Sequence, residues 1–147
     1  MVYLVDTNVL LRLADRRHPL HPVIRQAIRK LQQEGHTLQI TAQNGVEFWN
    51  VVTRPANKNG FGLTPPEANR LLRLIERLFP LLPDSPAVYP QWRQLVVQFG
   101  VSGVQVHDAR LAAAMLAHQI THILTFNGAD FSRYAPVGIV AVDPATV

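Results

Sequence analysis

After the initial methionine, four apolar residues, Val2-Tyr3-Leu4-Val5, run straight into Asp6, and beyond it Val9, Leu10 and Leu13 recur at helical spacing. An unbroken apolar run of this length reads as a strand buried on both faces, and the change of period marks a helix. Asp6 falls at the junction, on the carboxyl end of the strand, where open α/β sheets form their sites. The same alternation continues. His18 to Pro22 breaks the chain and opens a second helix, with Ile24, Ala27, Ile28 and Leu31 on its apolar face and Gly35 as its stop. Thr37 to Thr41 alternates as a strand, and Gln43 to Thr53 reads as a helix ended by Arg54-Pro55.

Pro55 to Gly62 is rich in turn residues and reads as a loop. Thr64-Pro65-Pro66-Glu67 has the form of a capping box, so Glu67 is assigned to structure. The helix it opens is expected to turn Leu71, Leu74, Ile75 and Leu78 inward and Arg70, Arg73 and Arg77 to another face, and to close at Pro80. Leu81-Leu82 reads as a short strand, Val88 to Phe99 as a helix containing Trp92, and about Asp108 to His118 as an alanine-rich helix. Ile120 to Thr125 and Val137 to Val142 are the last strands, separated by a loop from Phe126 to Tyr134. Strands alternating with helices imply a mainly parallel α/β sheet in one domain over residues 1–147.

Composition narrows the chemistry. With 48% hydrophobic and 16% charged residues the chain is globular rather than disordered. No apolar run approaches a membrane span, and no secretory leader is expected. The absence of cysteine removes thiolate catalysis, disulfides and cysteine-bound zinc, and is compatible with a cytoplasmic location. A net charge of +4, with arginine supplying most of the basic side chains, makes nucleic acid a plausible partner.

Against that basic background, three acids besides Asp6 follow a strand or open a helix: Glu47, Asp108 and Asp130. Neighbouring parallel strands bring such positions to one edge, and converging carboxylates repel until a hard cation joins them. Magnesium fits, binding through one or two carboxylates with waters and substrate phosphates, and manganese is also accepted. Such a site hydrolyses phosphodiesters without a protein nucleophile. Each acid also has a structural reading. Asp6 and Asp108 are favoured helix caps, Glu47 shares a polar face with Gln43, Asn50 and Arg54, and Asp130 follows the turn pair Asn127-Gly128. Their joint arrangement is what favours the chemical one.

Four strings carry a family resemblance: LVDTNVLL at 4–11, VEFWNVVTRP around Glu47, HDARLAAAM around Asp108, and LTFNGADF at 124–131. In order and spacing, they resemble the signature regions of PIN-domain proteins, most closely the VapC-like ribonuclease toxins of bacterial toxin–antitoxin pairs. The resemblance spans essentially the whole chain. It implies a five-stranded parallel sheet with helices on both sides, a magnesium-binding acidic pocket, endoribonuclease activity, an antitoxin partner and a homodimer. Carried across by motif, Asp6 and Asp108 are the principal metal ligands, with Glu47 a further acid. Thr7 and Asn8 orient Asp6 or a water. The last motif admits two arrangements, Asp130 as the fourth acid or Asn127 with Thr125 in its place. Arg54, Lys58, Arg70, Arg73 and Arg77 are candidate contacts to RNA phosphates, and Phe61, between two glycines, is a candidate contact to RNA or a partner. A PIN-like domain that only binds nucleic acid or protein is the alternative function. A phosphotransferase of the haloacid-dehalogenase type is disfavoured because it wants an aspartate where Asn8 stands.

Overall fold

The computed structural model describes all 147 residues as one α/β unit. In chain order the elements are β1 (Val2–Val5), α1 (Thr7–Ala14), α2 (His21–Gln33), β2 (Thr37–Thr41), α3 (Ala42–Thr53), α4 (Pro65–Leu78), β3 (Leu81–Leu82), α5 (Val88–Gln98), α6 (Val106–Ala117), β4 (His122–Leu124) and β5 (Val140–Val142). Short 3-10 turns join several of them. The five strands form one sheet in the order β3-β2-β1-β4-β5, and every pairing is parallel. The chain winds outward from β1 through β2 to β3, then crosses back to β4 on the other side of β1. The carboxyl ends of β1 and β4 therefore flank the point where the winding reverses, the usual place for a crevice in such sheets.

Strand periodicity builds a core on each face of the sheet. Tyr3 and Val5 face one core, with Leu38, Ile40 and Phe48, while Leu4 between them faces the other, with Leu95, Leu111, Met115 and Ile123. Helices α1 to α4 cover the first face, and α5 and α6 cover the second. Alanine dominates α6 because it must lie close to the sheet and to α5. Ala109, Ala112 and Ala113 have no exposed surface. No helix is long and apolar enough to cross a membrane.

Several expectations are corrected. Leu74 and Leu78 are not turned inward but are 53% and 49% exposed, because α4 buries only a narrow stripe centred on Ala68 and Ile75. The alanine-rich helix begins at Val106, which puts Asp108 inside its first turn rather than at its cap. The loop after β4 is built of 3-10 turns over Gly128–Asp130 and Ser132–Val137, anchored by the buried rings of Phe131 and Tyr134, so β5 starts three residues late. The Pro55–Gly62 segment also folds back tightly. The Phe61 and Leu63 amides donate to the Val51 and Val52 carbonyls at 3.2 and 2.9 Å, and a β-carbon at Gly60 would overlap the Arg54 carbonyl. Phe61 is consequently half-buried and packs on the first core instead of standing free in a loop.

Candidate active site

Asp6 closes β1 and is the N-cap of α1, accepting the Thr7 amide at 2.8 Å through Oδ1. Its other oxygen, Oδ2, accepts from the Thr125 hydroxyl at 2.8 Å and from the Asn8 side-chain amide at 3.1 Å. Capping and clamping thus coexist on one carboxylate that is only 7% exposed. Burial raises its pKa, the hydrogen bonds from Thr125, Thr7 and Asn8 pull it back, and repulsion from Asp130 adds to the rise. Asn8 locks β4 to this corner, because its carbonyl oxygen accepts the Phe126 amide at 3.1 Å and its amide also reaches the Thr125 hydroxyl at 3.2 Å.

Glu47 arrives from the second turn of α3, half-buried, with the Thr7 hydroxyl donating to Oε1 at 3.2 Å. Its pKa is raised by burial and then by the Asp6 charge, against the bond from Thr7 and the attraction of His107. Asp108 is the most perturbed. Burial and repulsion from Asp6, Asp130 and Glu47, in that order, push its carboxyl up to about 7, opposed by Arg133. The other three acids thus lie within electrostatic reach of Asp108. Asp130 contributes only its field to the others. It is exposed, at the end of a 3-10 turn. Asn127 likewise offers its backbone amide to Thr125, at 3.0 Å, rather than its side chain to an acid.

Two residues that the motifs did not single out hold this arrangement. Asn44 has no exposed surface, accepts both the amide and the hydroxyl of Thr41 through Oδ1 at 2.8 and 2.9 Å, and donates to the Thr7 hydroxyl at 3.0 Å. It caps α3 and also aims the hydroxyl that grips Glu47. Its signal was present in the spacing, since Thr41 and Asn44 stand three apart as Thr64 and Glu67 do. Gln43 joins α3 to α6, donating to the His107 carbonyl at 2.7 Å and accepting from the Arg110 guanidinium at 3.1 Å. Long-range pairing of this kind leaves no periodic trace in a sequence.

Of the cations, Arg133 and His107 act on the acids, whereas the exposed Arg70, Arg73 and Arg77 of α4 do not. Arg54 is half-buried at the end of α3, and Lys58 is exposed in the turn that follows. No three acidic or histidine side chains close into a complete ligand set. The donors that do converge are all carboxylate oxygens, which suits a hard divalent cation held by one or two of them and otherwise hydrated. Asp6 and Asp108 are residues that could hold such an ion, which would relieve the repulsion that, after burial, raises the Asp108 carboxyl.

The whole chain aligns with solved structures at low identity. VapBC2 from Rickettsia felis, bound to a promoter DNA fragment, has a TM-score of 0.70 at 14% identity over 97% of this chain and 98% of its own. FitAcB from Neisseria gonorrhoeae gives 0.69 at 22% identity over 100% of both chains. Mycobacterium tuberculosis VapC20, a Sarcin-Ricin loop cleaving toxin, gives 0.66 at 14% identity over 97% of this chain and 98% of its own. No curated protein matches significantly by sequence. At these identities the structures establish the fold, and the PIN-domain family profile matches residues 3–136. The chain belongs to the PIN-domain family.

Proposed function

We propose that this PIN domain is a magnesium-dependent endoribonuclease, accepting manganese, and the toxin of a cytoplasmic toxin–antitoxin pair. The observation that carries the reading is the buried Asp6 carboxylate at the carboxyl end of β1, both of its oxygens fixed by Thr7, Thr125 and Asn8 and Glu47 tied to the same corner through the Thr7 hydroxyl, with the Asp108 carboxyl pushed up to about 7 by burial and by the Asp6, Asp130 and Glu47 charges. Strongly perturbed acids gathered at a crevice are the mark of a reactive site. Asp6 and Asp108 would hold the ion, Glu47 would act on it directly or through water, and Asp130 would complete the acidic rim. When bound, the ion supplies charge to stabilise the phosphoryl transition state and acidifies the attacking water.

The protein's own contribution is positional. Thr125, Asn8 and the Thr7 amide fix both oxygens of Asp6, so the carboxylate need not reorganise as charge develops. Thr7 and Asn44 set the rotamer of Glu47 from below. RNA as substrate is supported by the arginine excess and by the similarity to VapC20, a toxin that cleaves the Sarcin-Ricin loop. Arg54, Lys58 and the α4 arginines belong to this reading as phosphate contacts along the approach. A homodimer is part of it too. Leu74 and Leu78, left exposed, line a groove of about 580 Å³ with Ile28, Arg25 and Arg29, and an antitoxin segment carrying apolar and acidic residues would cover it. Several of the similar structures are complexes of VapC-type or FitB-type chains with their partners.

The test is incubation of purified protein with RNA and magnesium, beside Asp6→Asn and Asp108→Asn. Each substitution removes charge stabilisation of several kcal/mol, so rates fall by about a hundredfold or more. Cleavage that persists in both folded variants refutes the mechanism. The lack of a closed three-residue ligand set favours one alternative, a domain that binds nucleic acid or protein without cutting. RNA binding with no cleavage in magnesium or manganese would select it.

A further inference from the structure

Between α5 and the first turns of α6 lies a pocket of about 450 Å³ where aromatic and basic side chains meet. Tyr89 and Trp92 come from α5, His107 and Arg110 from α6, and Asp84 from the connection after β3. Trp92 is fixed in place. Its indole N–H donates to the Val106 carbonyl at 2.9 Å, and its ring packs on the second core. Tyr89 stands 65% exposed beside it, with ring centroids 5.7 Å apart and planes 32° from each other. The result is a solvent-facing tyrosine ring resting beside an anchored tryptophan. A tyrosine needed only for the core would not be left so open.

The pocket adjoins the acids through His107. That residue lines the pocket, and its carbonyl accepts from the Gln43 side chain at 2.7 Å, one turn before Glu47 on α3. Arg110 lies two residues beyond Asp108 and is steadied by a single bond from its guanidinium to Gln43, which leaves further N–H donors for an anion. Asp84, in the connection leading to α5, is the one acidic group lining the pocket, against Arg110 and His107 from α6. We infer that this pocket is a nucleotide subsite, holding one unpaired RNA base against Tyr89 with its phosphate on Arg110 and His107. The inference rests on the nuclease reading and adds a substrate form to it, single-stranded RNA with a base turned out of its stack. Base-on-aromatic stacking joined to a basic track is the common physics of single-strand binding.

The experiment uses the full chain carrying Asp6→Asn to suppress cleavage, titrated into a short single-stranded RNA with one fluorescent 2-aminopurine. Stacking on Tyr89 quenches the fluorophore. Tyr89→Ala is expected to abolish the quench and weaken binding about tenfold or more, while Tyr89→Phe retains both. Arg110→Ala is expected to weaken binding and lower the salt slope by roughly one charge. In the cleaving enzyme, the Tyr89→Ala loss falls on KM rather than kcat. Binding and quench unchanged in Tyr89→Ala overturn the inference, as does a Tyr89→Ala protein that merely changes from dimer to monomer in sedimentation. The two readings fail separately. Cleavage that is indifferent to Tyr89 leaves the nuclease without this subsite, and a Tyr89-dependent quench in a protein that never cleaves leaves the subsite without the nuclease.

Discussion

Asp108 bears the largest electrostatic cost at the carboxyl edge of the sheet, and its consequences are measurable in the metal-free protein. Its carboxyl sits at about 7 in the fold, against its ordinary value of 3.8. A raised folded value means that the native state holds its proton more tightly than the unfolded chain. Stability from this group is therefore complete below the free value and is lost as pH rises through the folded one. Thermal melts in EDTA are expected to show Tm falling between about pH 4 and pH 7, and Asp108→Asn is expected to flatten that fall and to melt higher than wild type at pH 8. Added magnesium should raise the wild-type Tm at pH 8 and leave the variant unmoved. A variant that tracks wild type across the range would mean that Asp108 is not held against its neighbours. At Asp6 the decisive partner is Thr125, the strongest of the bonds that restrain its rise. Thr125→Val keeps the shape and removes the hydroxyl. Cation affinity or activity is expected to drop about 10- to 100-fold, as for other groups that orient a metal ligand. Undiminished affinity by calorimetry would show that Asn8 and Thr7 suffice.

Among the elements, β2 and its following cap do more than support α3. Two capping boxes of the same form occur, Thr41/Asn44 and Thr64/Glu67, but only the first is buried and bonded onward to Thr7. Asn44→Ala is therefore expected to cost about 2 kcal/mol in urea unfolding and to reduce activity as well, whereas Glu67→Ala has a much smaller effect on unfolding and spares activity. Equal effects of the two on activity would detach Asn44 from the site. This contrast also marks how far the sequence was legible. The buried strand ending at Asp6, the alternation of strands and helices and the Thr64 box are local patterns, and they appear in the fold where the periods place them. The three acids besides Asp6 were visible as acids that follow a strand or open a helix. The capping role of Asn44 was legible in its spacing from Thr41, but its bond to Thr7 and the bonds of Gln43 were not, because they reach chain segments dozens of residues away. Leu74 and Leu78 misled for a related reason: helical periodicity identifies an apolar stripe, but whether a neighbour covers it is decided by tertiary packing.

For the whole molecule, that uncovered stripe divides the surface into two working regions. Asp6 and Asp130 follow β1 and β4, Glu47 and Asp108 come from α3 and α6, and the apolar groove of α1, α2 and α4 contains none of them. A partner seated in the groove can therefore be lost without loss of chemistry. With both Leu74 and Leu78 changed to aspartate, the protein is expected to fold and cleave as wild type does, yet to escape silencing when the antitoxin is co-expressed. Growth arrest that the antitoxin still relieves would move the partner elsewhere. The account as a whole depends on the acids acting as one cation site, and manganese binding followed by electron paramagnetic resonance tests that most directly. Wild type is predicted to bind manganese at a site that Asp6→Asn and Asp108→Asn each weaken by about tenfold or more. Unchanged affinity in both folded variants would contradict it.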